Sequence, residues 1–407
     1  MQLFKNKSEC CGCTACYNIC PKHAIEMRTD KKGFKYPIIN VNKCISCGLC
    51  EKVCAFKHFS PQTRKEKFEQ EYYAARSKDK EVLKSSSSGG IFTVLSDYVL
   101  MQNGEVIGAA FDSLFVVRHI KANTFEQRDI MRGSKYVQSD LQDIFTYIKD
   151  KLKSSNIPIM FSGTPCQVDA LRRFLEVSEI NMEKLFLCDF ICHGVSSPLI
   201  WKEYITYLET LSLAKVYKIK FRDKKFGWKN MQMSLSTSSG INDSLCNKKC
   251  SYLRLYSSLV ANRESCFSCK YTTYHRTSDI TLADFWNIDS ISKKFNDNLG
   301  VSTVIVNTDK GKALFSLVND KMIKEPVKKE GCWQPHLEYP GTQPKKFNQF
   351  WNDYFSTGSP YIFKKYGKGT LVNKAIQFLT PIIKKMGLYT VAGKMYNKVF
   401  GQKYHEN

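Results

Sequence analysis

Nine cysteines fall within the first 54 residues, and eight of them make two copies of one pattern. The stretch "CCGCTACYNICP" carries Cys10-x2-Cys13-x2-Cys16-x3-Cys20 followed by Pro21, and "CISCGLCEKVC" carries Cys44-x2-Cys47-x2-Cys50-x3-Cys54. Three thiolates at this spacing wrap three corners of an iron–sulfur cubane from one short loop, while the fourth, at a helix start, ligates the other cluster. Cys10, Cys13, Cys16 and Cys54 are therefore assigned to one [4Fe–4S] cluster, and Cys44, Cys47, Cys50 and Cys20 to a second. Zinc is the competing reading, but it takes a single tetrahedral set, usually as two separated pairs, and fits the doubled run poorly. Cys11 is surplus and reads as a packing residue. Ala55 stands where the pattern often has proline.

Between the two runs, "AIEMRTDKKGFKYPIIN" alternates and turns at Lys32-Gly33, as a β-hairpin should. The whole reads as a dicluster ferredoxin module, which moves single electrons and does no bond chemistry. A downstream part of the chain must use those electrons.

The best downstream candidate is Cys166, in "IPIMFSGTPCQVDALRRFL". A buried strand is expected over Ile157 to Phe161, then a capping box with Thr164 at the N-cap, Pro165 at N1 and Gln167 at N3. Cys166 falls at N2, where free amides and the helix dipole stabilise a thiolate. "KLFLCDFICHGVSSP" repeats the layout, with an apolar run from Leu185 to Ile191, Cys192-His193-Gly194 in a turn and a helix after Pro198. Cys188 reads as core and His193 as a structural neighbour. "ESCFSCKYTTYHRTSDITLADFW" adds Cys266-x2-Cys269 and a strand through Ile280 and Leu282, whereas Cys246, Cys250 and Cys332 match no ligand pattern. The strand–turn–helix rhythm indicates an α/β domain with Cys166 and Cys192 at carboxyl ends of strands, where such sheets build their sites.

Two further segments suit an anion. "SSSSGGIFTVLSDYVLMQNG" runs serines and Gly89-Gly90 into a helical pattern ended by Asn103-Gly104, ahead of a strand from Val106 to Phe111. Free N–H groups there suit a diphosphate, and a serine-rich linker before a capped helix is an equal alternative. "RGSKYVQSD" places Arg132 and Lys135 beside a glycine turn before the helical "LQDIFTYIKDKL"; they suit phosphate or a solvated basic turn.

At 407 residues, 43% hydrophobic and 24% charged, the chain has the composition of a soluble protein of two or three domains. No apolar run reaches a membrane span and no signal-peptide stretch opens the chain, so a cytoplasmic location is expected. In that reducing setting 17 cysteines argue for metal or redox chemistry. The formal charge of +23 is lowered by clusters that carry roughly −2 each, and it selects no partner.

The motifs "SSSGGIF", "RGSKYVQSD", "SGTPCQ", "DFICHGVSSP", "FRDKKFGW", "CFSCKY" and "SDITLADFW" stand in the order seen in the coenzyme F420 hydrogenase/dehydrogenase β-subunit family, which residues 70–350 resemble. The resemblance implies FAD and a [4Fe–4S] cluster, with electrons passed between them. It maps that third cluster onto Cys166, Cys192, Cys266 and Cys269; one zinc held by the same four thiolates is the alternative. It also suggests flavin contacts at Ser87, Ser88, Gly89 and Gly90, and at Arg132, Gly133, Ser134, Lys135, Tyr136, Gln138 and Ser139. The acceptor implied is coenzyme F420 or another small molecule. Ferredoxin-fused members also occur beside surface-polysaccharide genes.

The expected fold is an α+β dicluster ferredoxin domain followed by an α/β flavin- and cluster-binding domain with a mixed sheet. The expected boundaries are 1–58 for the ferredoxin, 59–84 for a connector that includes a short strand at "EYYAARS", 85–155 and 156–355 for the two parts of the second domain, and 356–407 for a basic tail. The function expected is an iron–sulfur flavoprotein oxidoreductase, the alternative being a non-catalytic subunit that feeds electrons to a partner enzyme. Pro165-Cys166-Gln167 also resembles the nucleophile of cytosine-5 DNA methyltransferases, but the glycine-rich and Glu-Asn-Val motifs of such enzymes are missing, so no nucleic-acid partner is expected. Residues 361–407 hold nine lysines and one acid, Glu406. They suit a peripheral contact with an anionic membrane at its inner face, or equally a solvated helix or docking tail.

Overall fold

The computed structural model describes residues 3–59, 68–230, 232–238, 240–241, 250–295 and 297–368. Cys246 and the tail beyond residue 368 lie outside them.

The N-terminal part folds around the expected hairpin, β1 (Ile25–Thr29) against β2 (Lys35–Ile39), in antiparallel register. Short helices Ala15–Ile19, Leu49–Lys52 and Ala55–His58 carry the cysteine runs around it. Gly33 makes the turn at φ +84°, a left-handed conformation that glycine adopts without strain. The turn docks tightly: a Cβ at Gly33 would stand 2.4 Å from the Cβ of Leu199.

The larger part is built on an eight-stranded mixed sheet. Its strands are β3 (Glu71–Ser77), β4 (Glu105–Phe111), β5 (Val117–Ala122), β6 (Ile159–Ser162), β7 (Leu185–Phe190), β11 (Ile280–Asp284), β12 (Ser302–Val306) and β13 (Met322–Pro326). They lie in the order β13-β3-β12-β11-β7-β6-β4-β5. The run β4-β6-β7-β11 is parallel, and both flanks are antiparallel. A separate three-stranded sheet orders β10 (Gly240–Ile241), β9 (Gln232–Thr237) and β8 (Val216–Asp223). The helices expected from periodicity form at Ile91–Met101, Ile144–Ser154, Pro165–Val177 and Pro198–Ser212. Among the described residues no helix is long and apolar enough to cross a membrane.

Two expected boundaries move. The "EYYAARS" segment of the connector is β3, an inner strand paired with both β12 and β13, so residues from Glu71 onward belong to the sheet. The start of the basic tail is also packed structure. Helices Phe347–Thr357 and Ser359–Tyr366 bury Phe350, Trp351, Ile362 and Phe363, with Phe363 against Tyr204 at 5.1 Å. Aromatic residues at helical spacing outweigh the lysines that share those helices.

Hydrophobic packing crosses from one part of the chain to the other. Phe34 and Tyr36 of the hairpin join a core with Trp201, Phe221 and Tyr252. Ala15, Val53 and Ala55 join another with Phe161, Leu171 and Phe174. Apolar area is thus removed from water jointly, which fixes how the cysteine runs face the sheet.

Candidate metal centre

The two cysteine runs cross as the spacing requires. Burial pushes the Cys16 thiol up, reinforced by Cys13, Cys10 and Cys54, which places those four side chains together. Cys54 itself, raised to about 11 by burial, feels Cys13 and Cys10. The second set, Cys20, Cys44, Cys47 and Cys50, lines a single cavity together with Ile25, Ile39 and Ile45. The sets differ in exposure: Cys47 is open to solvent, whereas Cys13 sits against a buried apolar group. We call the Cys10 set inner and the Cys20 set outer.

The third set is assembled by the sheet. Cys166 follows β6 and Cys192 follows β7, and these strands are parallel neighbours, Ser162 lying opposite Cys188. Their carboxyl ends therefore bring both thiols to one edge. Cys266 and Cys269 come from the 3-10 turn Glu264–Ser268 and its end. Burial raises Cys192, with further contributions from Cys266, Cys166 and Cys269, so all four are neighbours. Burial also lifts Cys266 to about 11 and Cys269 to about 12. Thiols held protonated by burial suit a site that only a cation can ionise. Among the described residues, no three cysteine, histidine or acidic side chains converge closely enough for one metal ion.

Local sequence explains the position of Cys166. The capping box forms, with Gln167 Oε1 accepting from the Thr164 N–H at 3.0 Å. The Thr164 hydroxyl lies 3.2 Å from Cys166 Sγ. The Cys166 thiol is lowered, first by a hydrogen bond from Cys11 and then, against burial, by Thr164 and Arg263.

Cys11 is buried as expected, packed with Phe56, Phe59 and Tyr271. It also does something the sequence did not indicate. Its thiol hydrogen-bonds both Cys13 of the inner set and Cys166 of the third set. Cys13, Cys54, Cys166 and Cys269 all pack on this small apolar group, which forms the wall between the two sets. Tyr271 is anchored there by its hydroxyl, which donates to Asp169 Oδ2 at 2.8 Å.

The suggested flavin segments divide. Ser87 and Ser134 meet: Ser87 Oγ accepts from the Ser134 N–H at 2.8 Å and lies 3.1 Å from its hydroxyl. Arg132 reaches Thr93 Oγ1 at 3.1 Å and Ser85 Oγ at 3.2 Å beside the same loop. Lys135 Nζ donates to the Met131 and Arg132 carbonyls at 2.6 and 3.1 Å, and burial lowers it to about 7. Lys224, from "FRDKKFGW", donates to the carbonyls of Leu83, Ser88 and Leu299 and is likewise lowered to about 7 by burial. The Ser87–Gly90 loop is thus ringed by cations.

Other members of the two segments are engaged by the fold. The Ser88 hydroxyl donates to Val301 O at 2.8 Å, and the Gly89 N–H to Ser302 Oγ at 3.0 Å. A Cβ on Gly89 would fall 2.4 Å from Ala75 O, so glycine is needed for this approach to β3. Gly90 caps the helix Ile91–Met101, and a Cβ on Gly133 would lie 3.8 Å from Ser87 Oγ. The Tyr136 ring stacks on Tyr256 at 4.4 Å. Gln138 and Ser139 point toward the cysteines instead. Gln138 Nε2 donates to Cys11 O at 2.9 Å, and Ser139 Oγ accepts from Gln167 Nε2 at 3.0 Å.

The remaining residues follow their expected roles. Cys188, Cys250 and Cys332 are buried, and His193 packs against His336 at 4.3 Å. In the later motifs, Asp284 links Arg222 at 2.8 Å to the Trp228 indole at 2.9 Å, and Trp228 stacks on Trp286.

Comparison with known proteins agrees with this division of the chain. Residues 9–58 match the 4Fe-4S dicluster domain, and residues 158–329 match the C terminus of the coenzyme F420 hydrogenase/dehydrogenase beta subunit. The ferredoxin-type protein NapH of Haemophilus influenzae is 39% identical over 61 residues, which is 14% of this chain and 21% of that protein. An uncharacterized ferredoxin of Methanocaldococcus jannaschii is 32% identical over 54 residues, 13% of this chain and 69% of that one. The chain thus spans about a fifth of the length of NapH. A chain of the F420-reducing [NiFe] hydrogenase complex from Methanosarcina barkeri aligns at 20% identity and a TM-score of 0.44, covering 72% of this chain and 90% of that one. The chain belongs to the coenzyme F420 hydrogenase/dehydrogenase β-subunit family, with a [4Fe–4S] dicluster ferredoxin domain fused on its N-terminal side.

Proposed function

We propose that this chain is an iron–sulfur flavoprotein oxidoreductase that exchanges electrons between ferredoxin-type [4Fe–4S] clusters and FAD, and on to coenzyme F420 or another small acceptor. A link to surface-polysaccharide assembly is part of this reading. The observation that carries it is the shared wall of Cys11, Phe56, Phe59 and Tyr271, against which cysteines of the inner and third sets both pack. Two redox centres on one apolar wall suit short-range transfer, and a zinc at the third set would have no use for it.

Cys166, Cys192, Cys266 and Cys269 would hold the third [4Fe–4S] cluster. Ser87, Ser134, Arg132, Lys135 and Lys224 would take the flavin diphosphate. Lys135 and Lys224, buried and bonded to carbonyls rather than to carboxylates, favour an anion there. When bound, the clusters supply one-electron transfer and the flavin converts it to two-electron chemistry. The protein's own part is to grade exposure from Cys47 inward and to keep water from the inner wall.

A second reading, a subunit that feeds a partner enzyme, is favoured by exposed Val41 and Ile45 beside the outer set. Turnover of a small acceptor by the purified chain alone distinguishes the two. The test of the cofactor set is anaerobic purification with iron, sulfide and flavin counted per chain, followed by an acceptor screen that includes coenzyme F420. About twelve irons, from about four per cubane, and one FAD are expected. About eight irons with one zinc would overturn the third cluster.

A further inference from the structure

Arg263 is 1% exposed and stands just ahead of the turn that bears Cys266. Every edge of its guanidinium is used across the boundary between the two parts of the chain. Nε donates to Cys10 O at 2.8 Å, Nη1 to Gln138 Oε1 at 3.0 Å and Nη2 to Lys35 O at 3.0 Å, while Nη2 also lies 3.8 Å from Cys10 Sγ. Its plane faces the Tyr36 ring at 4.2 Å and the Phe34 ring at 5.4 Å.

What is missing is a carboxylate. The adjacent Glu264 is paired with Lys32 at 2.7 Å, and Arg263 enters no ion pair among the described residues. A guanidinium does not shed its proton, so burial demands an anion nearby. The ionisable groups whose negative form Arg263 favours are Cys10, Tyr36, Cys11 and Cys266. Two of these, Cys10 and Cys266, belong to different cysteine sets.

We propose that Arg263 is the fixed countercharge shared by the inner ferredoxin cluster and the third cluster, and that it holds the inner cluster at a higher reduction potential than the outer one. A cubane with four thiolates goes from roughly −2 to roughly −3 on taking one electron, and a buried cation favours the more negative form. The outer set, with Cys47 exposed, has water in place of such a cation. Arg263 is a positioning residue: it acts on the cysteines that hold the iron. The part that concerns Cys266 rests on the third cluster proposed above, whereas the part that concerns Cys10 rests on the dicluster domain alone.

The test is a potentiometric titration of the full, anaerobically loaded chain with dithionite as reductant, followed by electron paramagnetic resonance. Cys20→Ser, which lacks the outer cluster, assigns the inner signal. The inner potential should fall in the order wild type, Arg263→Lys, Arg263→Gln, with the outer potential unchanged in all three. An inner potential in Arg263→Gln equal to that of wild type overturns the proposal, and so does an equal shift of inner and outer clusters. If Arg263→Gln fails to load iron, Arg263→Lys decides. Lysine keeps the charge but loses the fork onto Cys10, so an inner potential displaced downward supports the proposal and an unmoved one overturns it. An iron count near eight in the wild type would refute the third cluster and leave the inner-cluster test intact.

Discussion

Arg276 and Asp189 form a buried ion pair, Nη2 to Oδ2 at 2.9 Å, across the seam between the Cys269 loop and β7. The same guanidinium donates to the carbonyls of Tyr271 and Phe190, both at 3.1 Å. Each carbonyl lies two residues from a cysteine of the third set: Tyr271 from Cys269 and Phe190 from Cys192. The pair therefore fixes the distance between two ligand-bearing segments that are far apart in sequence.

Arg276→Ala should leave Asp189 as an uncompensated buried charge. Breaking a buried pair from one side costs about 3–5 kcal/mol. The expected outcome is a lower denaturant midpoint at an unchanged slope, measured by chemical unfolding of the loaded chain. Iron should be lost from the third set before the ferredoxin sets.

Cys166→Ser should remove about four of about twelve irons and leave both ferredoxin clusters in place. Cys20→Ser should remove a different four, those of the Cys44–Cys50 loop, even though Cys20 is in the first run. Iron analysis combined with Mössbauer spectroscopy of the two variants checks the crossed ligation. Loss of the Cys10 cluster in Cys20→Ser would contradict it.

Gly33→Ala tests how the hairpin is seated. The left-handed turn costs a Cβ-bearing residue about 1–2 kcal/mol, and the new methyl would meet Leu199 Cβ at 2.4 Å. Faster amide exchange is expected over residues 30–36, as is a weakened grip on Lys32 O, which accepts from the Ser197 hydroxyl at 2.5 Å. Hydrogen-exchange mass spectrometry reads both.

Lys135 gives a pH dependence with a definite sign. Burial lowers it to about 7, while the unfolded chain titrates near the ordinary lysine value. Between these two values the unfolded state binds more protons, so the destabilisation due to this lysine is full below about pH 7 and fades as pH rises toward about 10.4. Flavin-free protein should gain stability over that window relative to Lys135→Met. Binding of FAD near pH 8.5 should take up a proton, visible as buffer-dependent heats in calorimetry. The uptake should fall in the variant.

The ferredoxin site is legible because its information is local. Six of its eight ligands lie in two loops with fixed spacing, and Cys20 and Cys54 follow from the crossed pattern. The Pro165–Val177 helix is equally readable, since Thr164, Pro165 and Gln167 are cap chemistry within one turn. The third set is different. Cys166 and Cys269 are brought together by the parallel pairing of β6, β7 and β11, and no spacing encodes that; only the family resemblance joins the four cysteines. Arg263 carries no signal at all, because a buried arginine and a surface one look alike in a sequence. Gln138 and Ser139 belong by sequence to the suggested flavin segment, yet the chain turns after Tyr136 and presents them to the cysteines. The short β3 falls in the expected connector because its neighbours in the sheet, β12 and β13, follow more than 200 residues later.

The gradient of exposure from Cys47 to Cys11 also decides how the molecule fails in air. Dioxygen meets the outer loop first, while the wall of Phe56, Phe59 and Tyr271 shields the thiols behind it. A briefly aerated preparation should therefore lose its port to the outside while its interior centres stay whole. Such a sample would keep much of its brown colour and still be electrically isolated.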